Sequence, residues 1–235
     1  VSLSDDNNGL IIVNAKNELK KGYIEIVKTD AEDGRDLSGA EFTVYNTAGK
    51  VVTVIGPTDS NGYAKSEEIY YGSYRVVETK IPEYYQLGKV KEWNVSIDDD
   101  NNGLIKLDIT NDRQYGSVKV IKSAEDNFKE GLQFRLTGTS VYGDYIDMTV
   151  ATDANGVALF DPVPIGNDYE LAEVNTPVKY VVPDTQDVTV EWNKDTEREA
   201  DNILKKWRAE IYKLDSSAQS SDPVYGEDGS IGGAQ

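Results

Sequence analysis

Short stretches in which apolar and polar residues alternate recur along the chain, and they fall into two matching sets. The first set is YIEIVK, EFTVYN, KVVTVI, SYRVVET, EWNVSI and IKLDIT; the second is SVKVIK, LQFRLTG, YIDMTVAT, VALF, YELAEV, DVTVEW and DNILKKW. Each stretch is rich in β-branched or aromatic residues and bounded by Gly, Asn, Asp or Pro, which predicts strands with one buried face. No amphipathic helix of useful length competes. Many short strands with frequent turns predict an all-β chain built of two-sheet sandwiches of about a hundred residues each. TDSNG and TDANG read as turns in which Asn-Gly supplies positive φ.

The two sets belong to a longer internal repeat. VSIDDDNNGLIKLDITNDRQYGSVKVIK, ending at Lys122, matches the opening VSLSDDNNGLIIVNAKNELKKGYIEIVK, ending at Lys28, and VTVEWNKDTEREADNILKKWRAEIYK, ending at Lys213, is a looser third copy. In all three an asparagine precedes the strand lysine by eleven residues: Asn17 and Lys28, Asn111 and Lys122, Asn202 and Lys213. Inside each period Tyr74 and Glu78 align with Tyr169 and Glu173, the glutamates lying 50 and 51 residues after their lysines. The chain therefore divides into the last strand of one repeat (1–18), two whole repeats (19–113 and 114–204), and the first strand and loop of another (205–235). On this reading Asn17 and Lys213 are ends of neighbouring repeats and stay unbonded in this chain.

Alternation places Lys28 on the apolar face of its strand with Ile24 and Ile26, and Lys122 with Val118 and Val120. Burial drives an ammonium towards the neutral, nucleophilic amine and keeps a proton on a carboxyl group, so Glu78 and Glu173 suit the part of a proton-shuttling acid. A neutral lysine facing an asparagine carboxamide can attack its carbon and expel ammonia. Fixed proximity assists strongly, since well-placed intramolecular pairs reach effective molarities of about 10⁵–10⁸ M. The expected reaction happens once per repeat, needs no cofactor and no metal, and is maturation, not enzymatic turnover.

Composition narrows the alternatives. With 42 Asp+Glu against 24 Lys+Arg the net charge is −18, which opposes nucleic acid and anionic membrane as partners. Cysteine and histidine are both absent, removing disulfides, thiolate chemistry and the commonest general base and zinc ligand. No apolar run is long enough to cross a bilayer, and no insertion within this stretch is expected.

The residues IEIVKTD, GAEFTVYN, TDSNGYA, YRVVETKIPEYY and DITNDRQYGSVKV, with their second-repeat counterparts VKVIKSAED, LQFRLTG, TDANGVALF, YELAEVNTPVKYVVP and DNILKKWRAEIYKLD, resemble the CnaB-type, prealbumin-like domains of Gram-positive surface adhesins and pilins. The resemblance covers nearly the whole chain. It implies tandem immunoglobulin-like sandwiches of reversed topology, with Lys28 joined to Asn111 under Glu78 catalysis and Lys122 joined to Asn202 under Glu173 catalysis. It further implies a cell-surface or cell-wall-associated, extracellular stalk whose partners are neighbouring repeats of the same polypeptide. The second repeat departs at KSA, where the family often has aspartate two residues after the lysine. A pilin motif with a sortase-reactive lysine and an LPxTG-type signal are not visible, which favours a stalk over a sortase-assembled pilin shaft. A ligand-binding adhesin module, for a glycan or a matrix protein, is the other alternative; it requires an exposed aromatic or apolar patch on one repeat that the other lacks. Trp93, Trp192, Tyr84, Tyr85 and Tyr180 are read first as packing residues and second as a sugar-stacking platform. The DDNNG segments at 5–9 and 99–103 are read as polar hairpins in preference to calcium loops.

Overall fold

A computed structural model describes residues 16–211. Nine strands form the first sandwich: β1 (Lys21–Asp30), β2 (Glu41–Asn46), β3 (Val51–Ile55), β4 (Tyr63–Lys65), β5 (Ile69–Tyr70), β6 (Gly72–Lys80), β7 (Tyr85–Leu87), β8 (Glu92–Ile97) and β9 (Leu104–Arg113). Seven form the second: β10 (Tyr115–Ala124), β11 (Gln133–Thr139), β12 (Tyr145–Ala151), β13 (Val157–Pro164), β14 (Gly166–Glu173), β15 (Gln186–Val190) and β16 (Asp195–Asn202). The described residues contain no helix, and the fold class read from the sequence, tandem all-β sandwiches, is the one observed.

In the first sandwich a sheet ordered β4-β1-β9-β7, with β5 beside the start of β1, faces a sheet ordered β3-β2-β6-β8. The second repeats the plan with β13-β10-β16 facing β12-β11-β14-β15. In each, the first and last strands are parallel neighbours, with Lys28 opposite Ile109 and Lys122 opposite Ala200. The inward residues of both sheets close a separate core in each repeat. Ile24, Ile26, Phe42, Val76 and Ile109 form the first, and Val118, Val120, Phe134, Phe160 and Leu171 the second.

The last strand of the second repeat corrects the sequence reading. DNILKKW was expected to be that strand, but it spans Asp195–Asn202, and only Asp201 and Asn202 are shared. DTEREADN carries charge at most positions because one of its faces is solvated, and only Ala200 and Asn202 near its end are buried. The apolar Ile203 and Leu204, which suggested a strand, lie beyond it. The short strands β4, β5 and β7 were also not foreseen; they are too brief to show a period.

Asn17 is exposed and lies outside any strand, residues 205–211 are without strand, and Lys213 and the DDNNG at 5–9 lie outside the described residues. Asp98–Gly103 is a polar hairpin: Asn101 and Asp98 side chains bond the local backbone, and Asn102 and Gly103 take positive φ.

The two sandwiches meet in a small core of their own, made by Leu37 and Tyr85 from the first and Tyr142 and Ile165 from the second. Tyr142 packs edge-on against Tyr85 at 5.4 Å, donates its hydroxyl to the Tyr84 carbonyl at 2.6 Å and accepts from the Gln114 amide at 2.8 Å. Beside it Arg113, whose side chain is 7% exposed, binds Asp30 (2.7 Å), Asp33 (2.5 Å) and Asp144 (2.6 Å). Arg35 adds bonds to the Tyr142 carbonyl and to Asp144. A buried guanidinium shared by carboxylates of both repeats fixes their relative orientation, because swinging either away strands a desolvated charge.

Candidate cross-linking site

Each sandwich buries one lysine, one glutamate and one asparagine together. Lys28 and Asn111 are 0% exposed and Glu78 6%; Lys122, Asn202 and Glu173 are 2%, 0% and 9% exposed. Alternation along β1 and β10 turns the lysines inward behind their apolar neighbours, as read from the sequence. In the parallel pairing Asn111 sits opposite Asp30, two residues past Lys28, and Asn202 sits opposite Ala124, two residues past Lys122. Lysine and asparagine thus lie diagonally on the same face of adjacent strands. The glutamate comes from β6 or β14, in the opposing sheet, and covers them from across the core.

The carboxylate contacts are nearly the same in both repeats. Asn111 Nδ2 donates to Glu78 Oε1 at 2.9 Å, and Asn202 Nδ2 donates to Glu173 Oε1 at 3.0 Å. Asn111 Oδ1 and Asn202 Oδ1 are buried without a hydrogen-bond partner, and so is Glu173 Oε2. Orphaned buried oxygens are rare in folded proteins and mark these side chains as held for something other than packing. The lysines differ in detail. Lys28 Nζ reaches the Ile109 carbonyl at 3.4 Å, whereas Lys122 Nζ donates to Ser123 (2.5 Å) and Ala200 (3.1 Å) carbonyls and lies 3.8 Å from Glu173 Oε2.

Burial sets the protonation states. It pushes the Lys28 ammonium down to about 8, against the upward pull of the Glu78 charge, and lowers Lys122 likewise against Glu173. Burial raises the Glu78 carboxyl, opposed by Lys28 and by the hydrogen bond from Asn111. Both shifts favour the uncharged forms, amine and carboxylic acid.

One supporting feature went unread in the sequence. The turn glycines Gly62 and Gly156 accept from the backbone N–H of Lys28 (2.8 Å) and Lys122 (2.7 Å). Gly62 has φ +68, and a Cβ there would lie 2.3 Å from the Lys28 carbonyl oxygen; at Gly156, φ +81, the same approach is 2.7 Å. The flanking Asp59 and Asp153 side chains cap the turns, each accepting from two backbone amides. In these two turns positive φ falls on the glycine of the Asn-Gly pair, not on the asparagine. Both glycines follow their lysine by 34 residues, a matched spacing that carries the signal.

Of the five aromatics singled out, Tyr85 and Tyr180 are buried and donate to Asp30 and Asp126, and Trp93 packs edge-on against Phe42. Tyr84 and Trp192 remain 45% and 52% exposed.

Comparison with known proteins bears on the fold and the family. The chain is 35% identical over 86 residues to the trypsin-resistant surface T6 protein of Streptococcus pyogenes serotype M6, a match covering 35% of this chain and 15% of that protein. The Bacillus anthracis TIE protein superimposes with a TM-score of 0.62 at 28% identity, over 77% of this chain and 34% of that one. The minor pilin GBS52 of Streptococcus agalactiae is a more distant match, with a TM-score of 0.38 and 16% identity over 82% of this chain and all of that one. The chain thus spans well under half the length of the first two relatives. The model of the SpaA prealbumin-like fold domain matches residues 22–113 and again 116–204, and the chain belongs to that family, in two tandem copies.

Proposed function

We infer that the two sandwiches are load-bearing spacer repeats of a bacterial surface protein, each closed by an intramolecular isopeptide bond, Lys28 to Asn111 and Lys122 to Asn202. The observation that carries this reading is the same buried Lys, Glu and Asn arrangement in both repeats, with an amide held against a carboxyl group. Glu78 takes a proton from the Lys28 ammonium, leaving an amine and an acid. Turning of the Asn111 amide then lets the acid O–H donate to the orphaned Oδ1 and polarise the carbonyl. The amine nitrogen bonds to Cγ, the Cγ–Nδ2 bond breaks, and the proton lost by Nζ reaches the departing nitrogen through the Glu78 carboxyl. The products are one secondary amide and one ammonia. Glu173 acts in the same way on Lys122 and Asn202. The step occurs once, so neither repeat is an enzyme in the ordinary sense, and it draws on no cofactor.

Parallel pairing of first and last strands gives the bond its mechanical sense. A pull entering at Lys21 runs along β1 to Lys28, crosses to Asn111 and leaves at Arg113, bypassing the residues between. The relative's name as a surface protein supports an extracellular, surface-attached setting. Single-molecule stretching tests the role. An unlinked repeat lengthens by roughly 250–300 Å when it gives way, from about 3.3–3.6 Å per residue less its folded length. The linked repeats are expected to show no such step, and steps of that size in the unaltered chain would overturn the reading.

A further inference from the structure

Between the repeats, and apart from both triads, lies a crevice of about 560 Å³. One wall is β7 with the segments on either side of it, carrying Glu83, Tyr84, Gln86 and Lys91; the other is Trp192, on the β15–β16 hairpin of the second repeat, with Gln114 at the junction. Tyr84 and Trp192, half exposed, both line it.

Three observations set this place apart from ordinary surface. Tyr84 holds φ 68, a conformation that is strained for a non-glycine residue and persists only where the surroundings impose it. They do: its carbonyl accepts the Tyr142 hydroxyl from the other repeat. Second, the aromatic pair has no counterpart elsewhere among the described residues. The position matching Tyr84 in the second repeat is Lys179, beside Tyr180, and the hairpin of the first repeat that corresponds to the one bearing Trp192 is the polar Asp98–Gly103. The plan shared by the two repeats therefore does not account for it. Third, the polar groups are pre-set. Gln86 donates to the Arg113 carbonyl at 3.0 Å and Gln114 to the Tyr85 carbonyl at 2.8 Å, which orients both amides while each keeps capacity for a further donor and acceptor contact.

We propose that this crevice binds a neutral oligosaccharide, with sugar rings laid against Tyr84 and Trp192 and hydroxyls paired to the amides of Gln86 and Gln114. Two aromatic faces beside the Gln86 and Gln114 amides match the C–H faces and vicinal hydroxyls of a sugar, the lining charges of Glu83 and Lys91 offset one another, and clefts at domain boundaries are where ligand sites concentrate. The charge of −18 and the acidic cluster of Asp30, Glu32, Asp33 and Asp144 at the same junction disfavour anionic glycans. Because the walls belong to different repeats, the Arg113 and Tyr142 contacts that fix the joint also preform the site, which lowers the cost of ordering it on binding.

The test is titration of the whole chain with neutral oligosaccharides of glucose, galactose, mannose and N-acetylglucosamine, alongside sialyllactose and decaproline, by calorimetry and tryptophan fluorescence. A neutral glycan is expected to bind, and Trp192→Ala and Tyr84→Lys, the latter installing the second repeat's own residue, each to weaken it about tenfold or more at unchanged melting temperature. Both side chains are half exposed, so the variants fold; a variant whose melting temperature falls is replaced by Gln114→Glu, which must weaken binding likewise. Binding of decaproline or sialyllactose alone, no binding of any neutral glycan at millimolar concentration, or binding that survives both substitutions overturns the proposal.

Discussion

Glu78→Gln separates the chemistry of the first triad from its packing. Glutamine fills the same space and can still bond the Asn111 amide, but it cannot hold or pass a proton, so the first repeat is expected to fold without its bond. Asn111 follows Lys28 by 83 residues. Treated as loop closure, a link of that span removes about 4.5 kcal/mol of unfolded-state entropy. In a domain of this size each kcal/mol moves the melting temperature by roughly 4–8 °C, so the unlinked sandwich should melt roughly 20–30 °C below the linked one. The Lys28 nitrogen, left buried without a carboxylate, acts in the same direction. Calorimetry reads this directly, because the second repeat, untouched, is the reference within the same molecule and its transition should stay in place. A first repeat that still forms its bond refutes the role given to Glu78. One that lacks the bond yet melts with the parent refutes the loop-closure magnitude.

Gly62→Ala places a methyl group 2.3 Å from the Lys28 carbonyl oxygen at positive φ, and is expected to destabilise the first repeat by about 2 kcal/mol or more and leave a fraction of chains unlinked, read by urea unfolding and mass. In an unlinked Asn111→Ala chain, burial holds Lys28 near 8 against about 10.5 when unfolded, so between those values the unfolded state binds more protons and stability rises with pH. The urea midpoint of the first repeat should be higher at pH 9.5 than at 7.5; a fall would show that Lys28 is buried charged. Arg113→Leu strands the buried Asp30 carboxylate and is expected to cost about 3–5 kcal/mol and broaden the inter-repeat angle in X-ray scattering. Adding Asp30→Ala, which reproduces the Leu204 and Ala124 of the second repeat, should restore most of the stability but not the angle.

The triads were legible because they combine two independent sequence signals, strand alternation that buries a lysine and a register repeated between copies. The strand Asp195–Asn202 was not, since a half-solvated strand whose inward residues are few looks like a charged loop. Nor was the joint. Arg113 and Tyr142 belong to different repeats, and no period within either one pairs them. The glycine turns lay between these cases: their role depends on a backbone approach that only the fold displays, although the 34-residue spacing was there to be read. Sorting the aromatics also required burial, which placed Tyr85, Tyr180 and Trp93 in packing and left Tyr84 and Trp192 at the surface.

Intact-mass spectrometry of the denatured chain tests the central claim most directly, since each isopeptide bond releases one ammonia. The account predicts a mass two ammonia molecules below that of the sequence, one below in Glu78→Ala or in Glu173→Ala, and no deficit in the double variant. The full sequence mass in the unaltered protein would contradict it.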